Sequence, residues 1–222
     1  MNNLNTFQVR MPMSALTHFI GFICAILGMP ILLIHAALNG GGFISMVCLT
    51  IFMFGMILMY GASTAYHTFN LSDSGNRRLK KFDHMMISVM IAGSYTPICV
   101  LVLDKPAGTI LLSVIWCVAI AGIALKAFWV TCPRWVSSVL YIAMGWACIF
   151  AVPMLFRLLP LGGFLWLLIG GLMYTAGGII YALKLPLLEK HFKDFGAHEL
   201  FHVFVMGGTF CHYMLMYMYA VA

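Results

Sequence analysis

The chain has 222 residues, of which 63% are hydrophobic and 8% are charged, and its mean hydropathy is +1.01. Soluble domains carry about 25% charged residues, so this composition cannot cover a water-facing surface and most of the solvent around the fold must be lipid. The formal net charge of +6 does not indicate a nucleic-acid partner, because the basic residues lie in short gaps between apolar runs.

The apolar runs are continuous and about 20 residues long, which is the length of a membrane-spanning helix. Strands of a membrane barrel would alternate apolar and polar residues instead. Backbone polar groups in lipid must be satisfied within the chain, which also favours helices here. The sequence therefore predicts an all-α integral membrane protein, a single-domain bundle of seven transmembrane helices over residues 1–222. The predicted spans are 13–36, 43–66, 83–103, 107–130, 136–156, 163–183 and 198–222.

Lys and Arg residues are distributed unequally between the two sides of this predicted bundle. One side has ten of them and the other has two. The ten are Arg10, Arg77, Arg78, Lys80, Lys81, Lys126, Arg134, Lys184, Lys190 and Lys193, and the two are Lys105 and Arg157. Basic residues mark the cytoplasmic side of membrane proteins. We therefore expect a cytoplasmic N-terminus and, after seven spans, a C-terminus outside.

The seven cysteines show no CxxC pairing. Six lie within apolar runs and Cys132 lies in a short loop, which is typical of small buried hydrophobic residues. The spacing predicts neither a disulfide framework nor a cysteine zinc site.

A His-Glu-Leu-Phe-His stretch, His198 to His202, opens the last apolar run. On a helix these two histidines share a face and can both bind one metal ion. In the predicted topology Ser63 and His67 end span 2 on the same side, and Asp83 lies in the first turn of span 3 on that side. The sequence therefore predicts that these residues meet at one membrane depth.

Three imidazoles and a water are the ligands of a catalytic zinc site. We expect zinc bound by His67, His198 and His202, with a water whose pKa the metal lowers to about 7. Asp83 is then predicted to accept a hydrogen bond from that water and act as the base. Ser63, one turn before His67, is predicted to hold the ligands in place. Imidazole also suits iron, copper and nickel, so the identity of the metal stays open.

Further motifs accompany these residues along nearly the whole chain. They are Thr17-His18-x-x-Gly21, Ser63-x-x-x-His67, Lys81-Phe-Asp83-His84, Ala92-Gly-Ser-Tyr-Thr-Pro97, His198-x-x-x-His202, Gly207-Gly208 and Cys211-His212. In these motifs the chain resembles the hemolysin III family of bacterial membrane proteins. That family belongs with the adiponectin and progestin receptors, in a superfamily that also includes alkaline ceramidases.

The resemblance implies seven helices, a cytoplasmic N-terminus and zinc held by His67, His198 and His202, with Asp83 reaching the metal through water. It also implies hydrolysis of a membrane-lipid amide or ester, in the inner membrane of a bacterium. The acidic residues usual before span 1 are missing, and Met11-Pro-Met-Ser14 stands in their place.

Other functions remain open at this stage. The same His198-Glu-x-x-His202 motif occurs in zinc proteases, where the Glu is the general base, so Glu199 is either such a base or an interfacial charge. A sensor or receptor would use zinc as a structural ligand only. A pore-forming cytolysin is less favoured, because charged residues are nearly absent from the middle of the spans. The oligomeric state is not predicted.

Several other residues carry weaker expectations. His18 begins span 1 on the predicted metal side and is a candidate to support the metal ligands. His84 is predicted to point away from Asp83 and to pack. The pairs Gly170-Gly171 and Gly177-Gly178 predict a close approach of helices.

Overall fold

The computed structural model describes residues 8–183 and 195–220, with only the backbone of Arg134. These residues form helices joined by short turns and contain no β-strand. The α-helices are α1 (Pro12–Leu38), α2 (Phe43–Thr68), α3 (Asp73–Pro97), α4 (Ala107–Phe128), α5 (Arg134–Trp146), α6 (Val152–Leu158), α7 (Leu161–Leu183) and α8 (Ala197–Tyr219). A π-helical segment, Ile98–Val102, continues α3, and a 3₁₀ segment, Ala147–Ala151, joins α5 to α6.

Seven segments in the described ranges are long and apolar enough to cross a membrane, with α5 and α6 together forming one of them. The prediction of an all-α, seven-span membrane protein is confirmed. The orientation of the termini stays a prediction. The predicted connection from Lys184 onward lies largely outside the described residues.

Helix α3 begins at Asp73, ten residues before the predicted start of span 3. Ser72 caps it by accepting a hydrogen bond from the Gly75 N–H at 3.4 Å, and Asp73 complements the positive end of the helix dipole. Much of the predicted polar connection is therefore helical. Asp83 lies about three turns into α3 and is 7% exposed, so its predicted place in the first turn was wrong.

Helix α5 ends at Trp146, where the backbone changes to a 3₁₀ segment. The Tyr95 hydroxyl lies 2.9 Å from the Met144 carbonyl and 2.6 Å from the Gly145 carbonyl, and it accepts a 3.0 Å hydrogen bond from the Cys148 N–H. Buried backbone groups need such partners when a helical ladder is interrupted. Tyr95 thus stabilises an irregular turn inside the bundle.

Helices α2 and α3 are packed closely along a seam that contains two glycines. A Cβ atom on Gly55 would lie 3.2 Å from the Met90 Cα, and one on Gly93 would lie 3.2 Å from the Ile51 carbonyl oxygen. Both contacts are with backbone, so glycine is required for the two helices to lie this close. This seam fixes the position of Asp83 relative to the end of α2.

Helix α8 packs against α1 and α7, which brings the last described helix next to the first. The Tyr60 and Thr209 hydroxyls are hydrogen-bonded at 2.5 Å, and Tyr213 donates to the Gly28 carbonyl at 3.0 Å. On the α7 side, a Cβ on Gly170 would lie 2.4 Å from the His212 ring. These contacts help to set the first turns of α8 beside the start of α1 and the end of α2.

Candidate metal centre

Three histidines converge where the end of α2 meets the start of α8. Each of His67, His198 and His202 offers a ring nitrogen, and these nitrogens lie within 4.8 Å of one another. His67 is 2% exposed and His202 is 1% exposed, while His198 is partly buried. The structure thus brings together the three residues that the sequence predicts as metal ligands.

One pair of ring nitrogens has the spacing expected for ligands of a tetrahedral metal ion. The Nε2 atoms of His67 and His198 are 3.3 Å apart. Two imidazole nitrogens bound tetrahedrally at zinc distances of about 2.0–2.1 Å would be separated by about 3.3 Å. The donor set of imidazoles and the distance therefore both fit zinc.

Thr17 of α1 orients the His202 ring. The Thr17 hydroxyl lies 3.1 Å from the Met13 carbonyl and 3.0 Å from the Ser14 carbonyl, to which it donates its single proton. Its oxygen lies 3.0 Å from the His202 Nδ1 and is placed to accept from an Nδ1–H tautomer of that ring. This tautomer would leave the Nε2 lone pair of His202 for a metal, as is usual for metal-binding histidines.

The chain just before and at the start of α1 also contacts the centre. The Met11 sulfur lies 3.2 Å from the His67 Nδ1. The Met11 N–H donates to the His67 carbonyl at 2.9 Å, and the Arg10 N–H donates to the Thr68 carbonyl at 3.2 Å. The segment that lacks the usual acidic residues therefore closes over the end of α2. Sequence reasoning missed this role, because nothing local to Met11 indicates a partner 56 positions away.

His18 lies directly against the predicted ligand His202. The two rings are stacked, with centroids 3.5 Å apart and planes 13° apart. His18 is 3% exposed, and neither of its ring nitrogens has a hydrogen-bond partner among the described residues. This position agrees with the expectation that His18 lies on the side of the bundle that carries the predicted metal ligands.

Asp83 and Ser63 line the same cavity as His198 and His202, but neither belongs to the close cluster of three histidines. One oxygen of Asp83, Oδ2, lies 3.2 Å from the His84 Nδ1. The same His84 nitrogen is 2.9 Å from the Lys80 carbonyl. The prediction that His84 points away from Asp83 was therefore wrong, because its side chain bends back across the helix surface.

Both carboxylate oxygens of Glu199 accept hydrogen bonds. Oε1 accepts a hydrogen bond from the Ser14 hydroxyl of α1, and Oε2 accepts the Gly196 N–H at 2.8 Å. The carboxylate thus caps α8 and joins it to α1. Glu199 is also not among the residues that line the cavity. This arrangement favours the interfacial interpretation of Glu199 over a general base.

Basic side chains gather at the same end of the bundle. Lys126 is 1% exposed, and its Nζ lies 3.1 Å from the Cys132 sulfur and also contacts the Ser137 hydroxyl. Lys81 donates to the Ala127 carbonyl at 2.5 Å, where α4 ends. Burial would raise the pKa of the Cys132 thiol, but the hydrogen bonds from Ser137 and Lys126 outweigh it and lower this pKa. Cys132 therefore has a polar environment that its sequence context did not indicate.

An apolar cavity leads away from the histidines into the bundle. Its polar end is formed by Ser63, Asp83, His198 and His202, and its walls come mainly from α3, α5, α7 and α8. Its volume is about 150 Å³, whereas one water molecule needs only about 10–15 Å³. The cavity can therefore hold a sizeable apolar group next to the metal ligands.

Comparison with known proteins places the whole arrangement in a family. The family model described as "Haemolysin-III related" matches residues 8–213. The chain belongs to the haemolysin-III related family. This match includes the three histidines, Asp83 and the α1 residues that contact them.

The relatives of this haemolysin-III related chain include bacterial and animal proteins. Hemolysin-3 of Bacillus cereus is 35% identical over 210 residues, which are 94% of this chain and 91% of that protein. The Hemolysin-3 homolog of Bacillus subtilis (strain 168) is 35% identical over 208 residues, 94% of this chain and 93% of that protein. The adiponectin receptor protein of Drosophila melanogaster is 27% identical over 183 residues, 73% of this chain but 40% of the receptor. No solved structure gives a significant match.

Proposed function

We propose that this protein is a zinc-dependent hydrolase that cleaves an amide or ester bond of a membrane lipid. The observation that carries the proposal is a cluster of three imidazoles, two of which line an apolar cavity together with the buried carboxylate of Asp83. A membrane lipid has the matching chemistry, because its scissile carbonyl is polar and its chains are apolar.

Each residue has a distinct task in this proposal. His67, His198 and His202 hold zinc, which when bound supplies a nucleophilic water and polarises a carbonyl oxygen. Asp83 accepts a proton, and since its Oδ2 is held by His84, Oδ1 is the atom assigned to take it. Ser63 lines the same cavity, and its assigned task is to orient the polar end of the substrate. The apolar walls exclude bulk water, which strengthens the electrostatic interactions at the centre.

The test is product release by the purified protein in detergent, measured over a panel of ceramides, phospholipids and lipid esters. We expect turnover that a chelator abolishes and zinc restores, and a loss of at least about a hundredfold in Asp83→Asn, as expected for a general base. Asp73→Asn, which changes an exposed carboxylate of the same helix, is the matched control. If no lipid is cleaved in a zinc-dependent way, or Asp83→Asn is as active as Asp73→Asn, the proposal fails.

We further propose that the metal end faces the cytoplasm and that the protein resides in a bacterial inner membrane. The support is the gathering of basic residues, including Arg10, Lys81 and Lys126, at the end that carries the histidines. An alkaline phosphatase domain fused after Ala222 should be active, and one fused within the turn before Asp73 should be inactive. The reverse result would place the centre on the opposite face.

A receptor or sensor in which zinc serves only as a structural ligand is the second candidate. One observation favours it, namely that the histidines come from α2 and α8 and a metal would join these two helices. This candidate predicts that a chelator lowers the melting temperature while no lipid is cleaved. The activity measurement above therefore decides between the two.

A further inference from the structure

A second cavity lies next to the one that starts at the histidines, and the two share several lining residues. The second one has a volume of about 80 Å³ and is lined mainly by apolar side chains, including Ile98, Leu111, Leu155 and Phe164. The residues common to both linings are Ser94, Tyr95, Gly145, Trp146, Gly171 and His212. These shared residues define a junction between an inner cavity at the metal end and an outer cavity.

Two glycines at this junction have open space where a side chain would be. A Cβ atom added to Gly145 or to Gly171 would meet no heavy atom within 4 Å. Gly170, the chain neighbour of Gly171, differs completely, since its Cβ would lie 2.4 Å from the His212 ring. Close helix packing therefore explains why residue 170 is glycine, but it does not explain the glycine at position 145 or 171.

The surrounding structure holds both glycines in place. The Tyr95 hydroxyl contacts the Gly145 carbonyl at the point where α5 becomes irregular. Across the junction, Thr175 donates to the Gly171 carbonyl at 2.7 Å and accepts from the Trp146 indole at 2.8 Å. Both glycines, each with open space beside it, are thus held in a hydrogen-bonded frame.

We infer that Gly145 and Gly171 determine the length of the acyl chain that the protein accepts. The inference rests on the proposed function for the position of the lipid, with its polar group at the histidines and an unbranched chain running along the cavity.

The length of the inner cavity sets the number of carbons that it can hold. His212 at the junction is ten residues after His202, which is about 15 Å along α8. An extended alkyl chain advances about 1.25 Å per carbon, from a bond of about 1.5 Å and an angle of about 111°. About twelve carbons therefore reach the junction, and a longer chain must pass between the glycines into the outer cavity.

The experiment measures equilibrium binding of radiolabelled saturated fatty acids of eight, twelve and sixteen carbons to the zinc-loaded protein in detergent. These acids carry the carboxylate that an acyl product would place at the histidines. The variants are Gly145→Leu and Gly171→Leu, with Gly42→Leu as the control, because Gly42 also has open space around it but lies outside both cavities.

We expect the two junction variants to lose at least about tenfold in affinity for the sixteen-carbon acid, since about four methylenes can no longer be buried. Affinity for the eight-carbon acid should stay within about twofold of wild type, and Gly42→Leu should match wild type for all three acids. Unchanged affinity for the long acid, or an equal loss for every chain length, would overturn the inference. Gly145→Ala and Gly171→Ala, which add one methyl group to open space, repeat the comparison with a smaller effect if a Leu variant does not fold.

Binding separates this inference from the proposed hydrolysis. If the junction selects chain length but the protein cleaves no lipid, the hydrolase proposal fails and the inference about Gly145 and Gly171 stands. If the protein cleaves lipids and the junction variants keep the chain preference of the wild type, the inference fails and the hydrolase proposal stands.

Discussion

The seam between α2 and α3 and the space between α5 and α7 both depend on glycine, but for opposite purposes. At Gly55 and Gly93 a methyl group would press on the backbone of the facing helix, at 3.2 Å in each case. At Gly145 and Gly171 a methyl group would touch nothing. In the first region glycine lets α2 and α3 approach closely. In the second region glycine leaves open space next to the two cavities.

Gly93→Leu should have the largest effect of any change considered. Overpacking a tight core costs typically about 3 kcal/mol or less, but here the new side chain meets an unyielding carbonyl, so we expect loss of the folded protein. The measurement is yield and melting temperature in detergent, with Gly171→Leu as the matched variant in the open region. Equal behaviour of the two variants would show that the contrast between the regions is false.

Substitution of a metal ligand should remove the metal without closing the cavity. We expect elemental analysis to find about one zinc per chain in the wild type and background levels in His67→Ala and His202→Ala, because two imidazoles alone bind zinc too weakly to survive purification. Gly145→Leu, in the open region, should keep its full metal content. His35→Ala is the control histidine, because His35 stacks on Tyr217 and not on the three ligands. A full zinc content in His202→Ala would rule out the centre described above.

Thr17→Val tests the support that α1 gives to the predicted ligands. Loss of the hydrogen bond to His202 Nδ1 should weaken zinc binding by about ten- to a hundredfold, the usual range for a group that orients a metal-binding histidine. Competition with a chromophoric chelator measures the change. Thr64→Val is matched to it, since Thr64 donates only to the Tyr60 carbonyl of its own helix. The role assigned to Thr17 is wrong if both variants hold zinc equally well.

His18→Phe should have the smallest effect. Phenylalanine keeps the ring that stacks on His202 and removes two buried nitrogens that have no partner among the described residues. Replacing such groups with apolar atoms is close to neutral or stabilising. We therefore expect an unchanged zinc content and a melting temperature equal to or above that of wild type. Loss of zinc would instead identify His18 as a fourth ligand.

Much of the fold follows from the sequence because lipid imposes simple rules on it. Continuous apolar runs indicate spanning helices, and the structure has all seven. The start of α3 was missed because basic residues such as Arg77 and Lys80 suggested a loop, although a Ser cap and good helix formers allow the helix to extend beyond the apolar run.

The sequence predicts that the three histidines meet, as they do in the structure, but not which residues contact them. His198 and His202 are four residues apart on one helix, and topology adds His67, so a pattern exists to be found. Thr17 and Ser14 contact α8 over 185 positions, and no local pattern encodes such a contact. The pair Gly170-Gly171 also could not be interpreted from the sequence alone. Neighbours on a helix point about 100° apart, so the two glycines face different surroundings.

The contacts between α1 and α8 have a consequence for how the protein is made. A ribosome completes Thr17 long before it completes His202, and the two meet only when the last described helix has entered the membrane. Two of the three histidines lie on that helix, so a nascent chain that ends before α8 has no centre to fill. In the proposed function, the metal can therefore bind only after α8 has been made and inserted, so metal binding would be a late step of biogenesis.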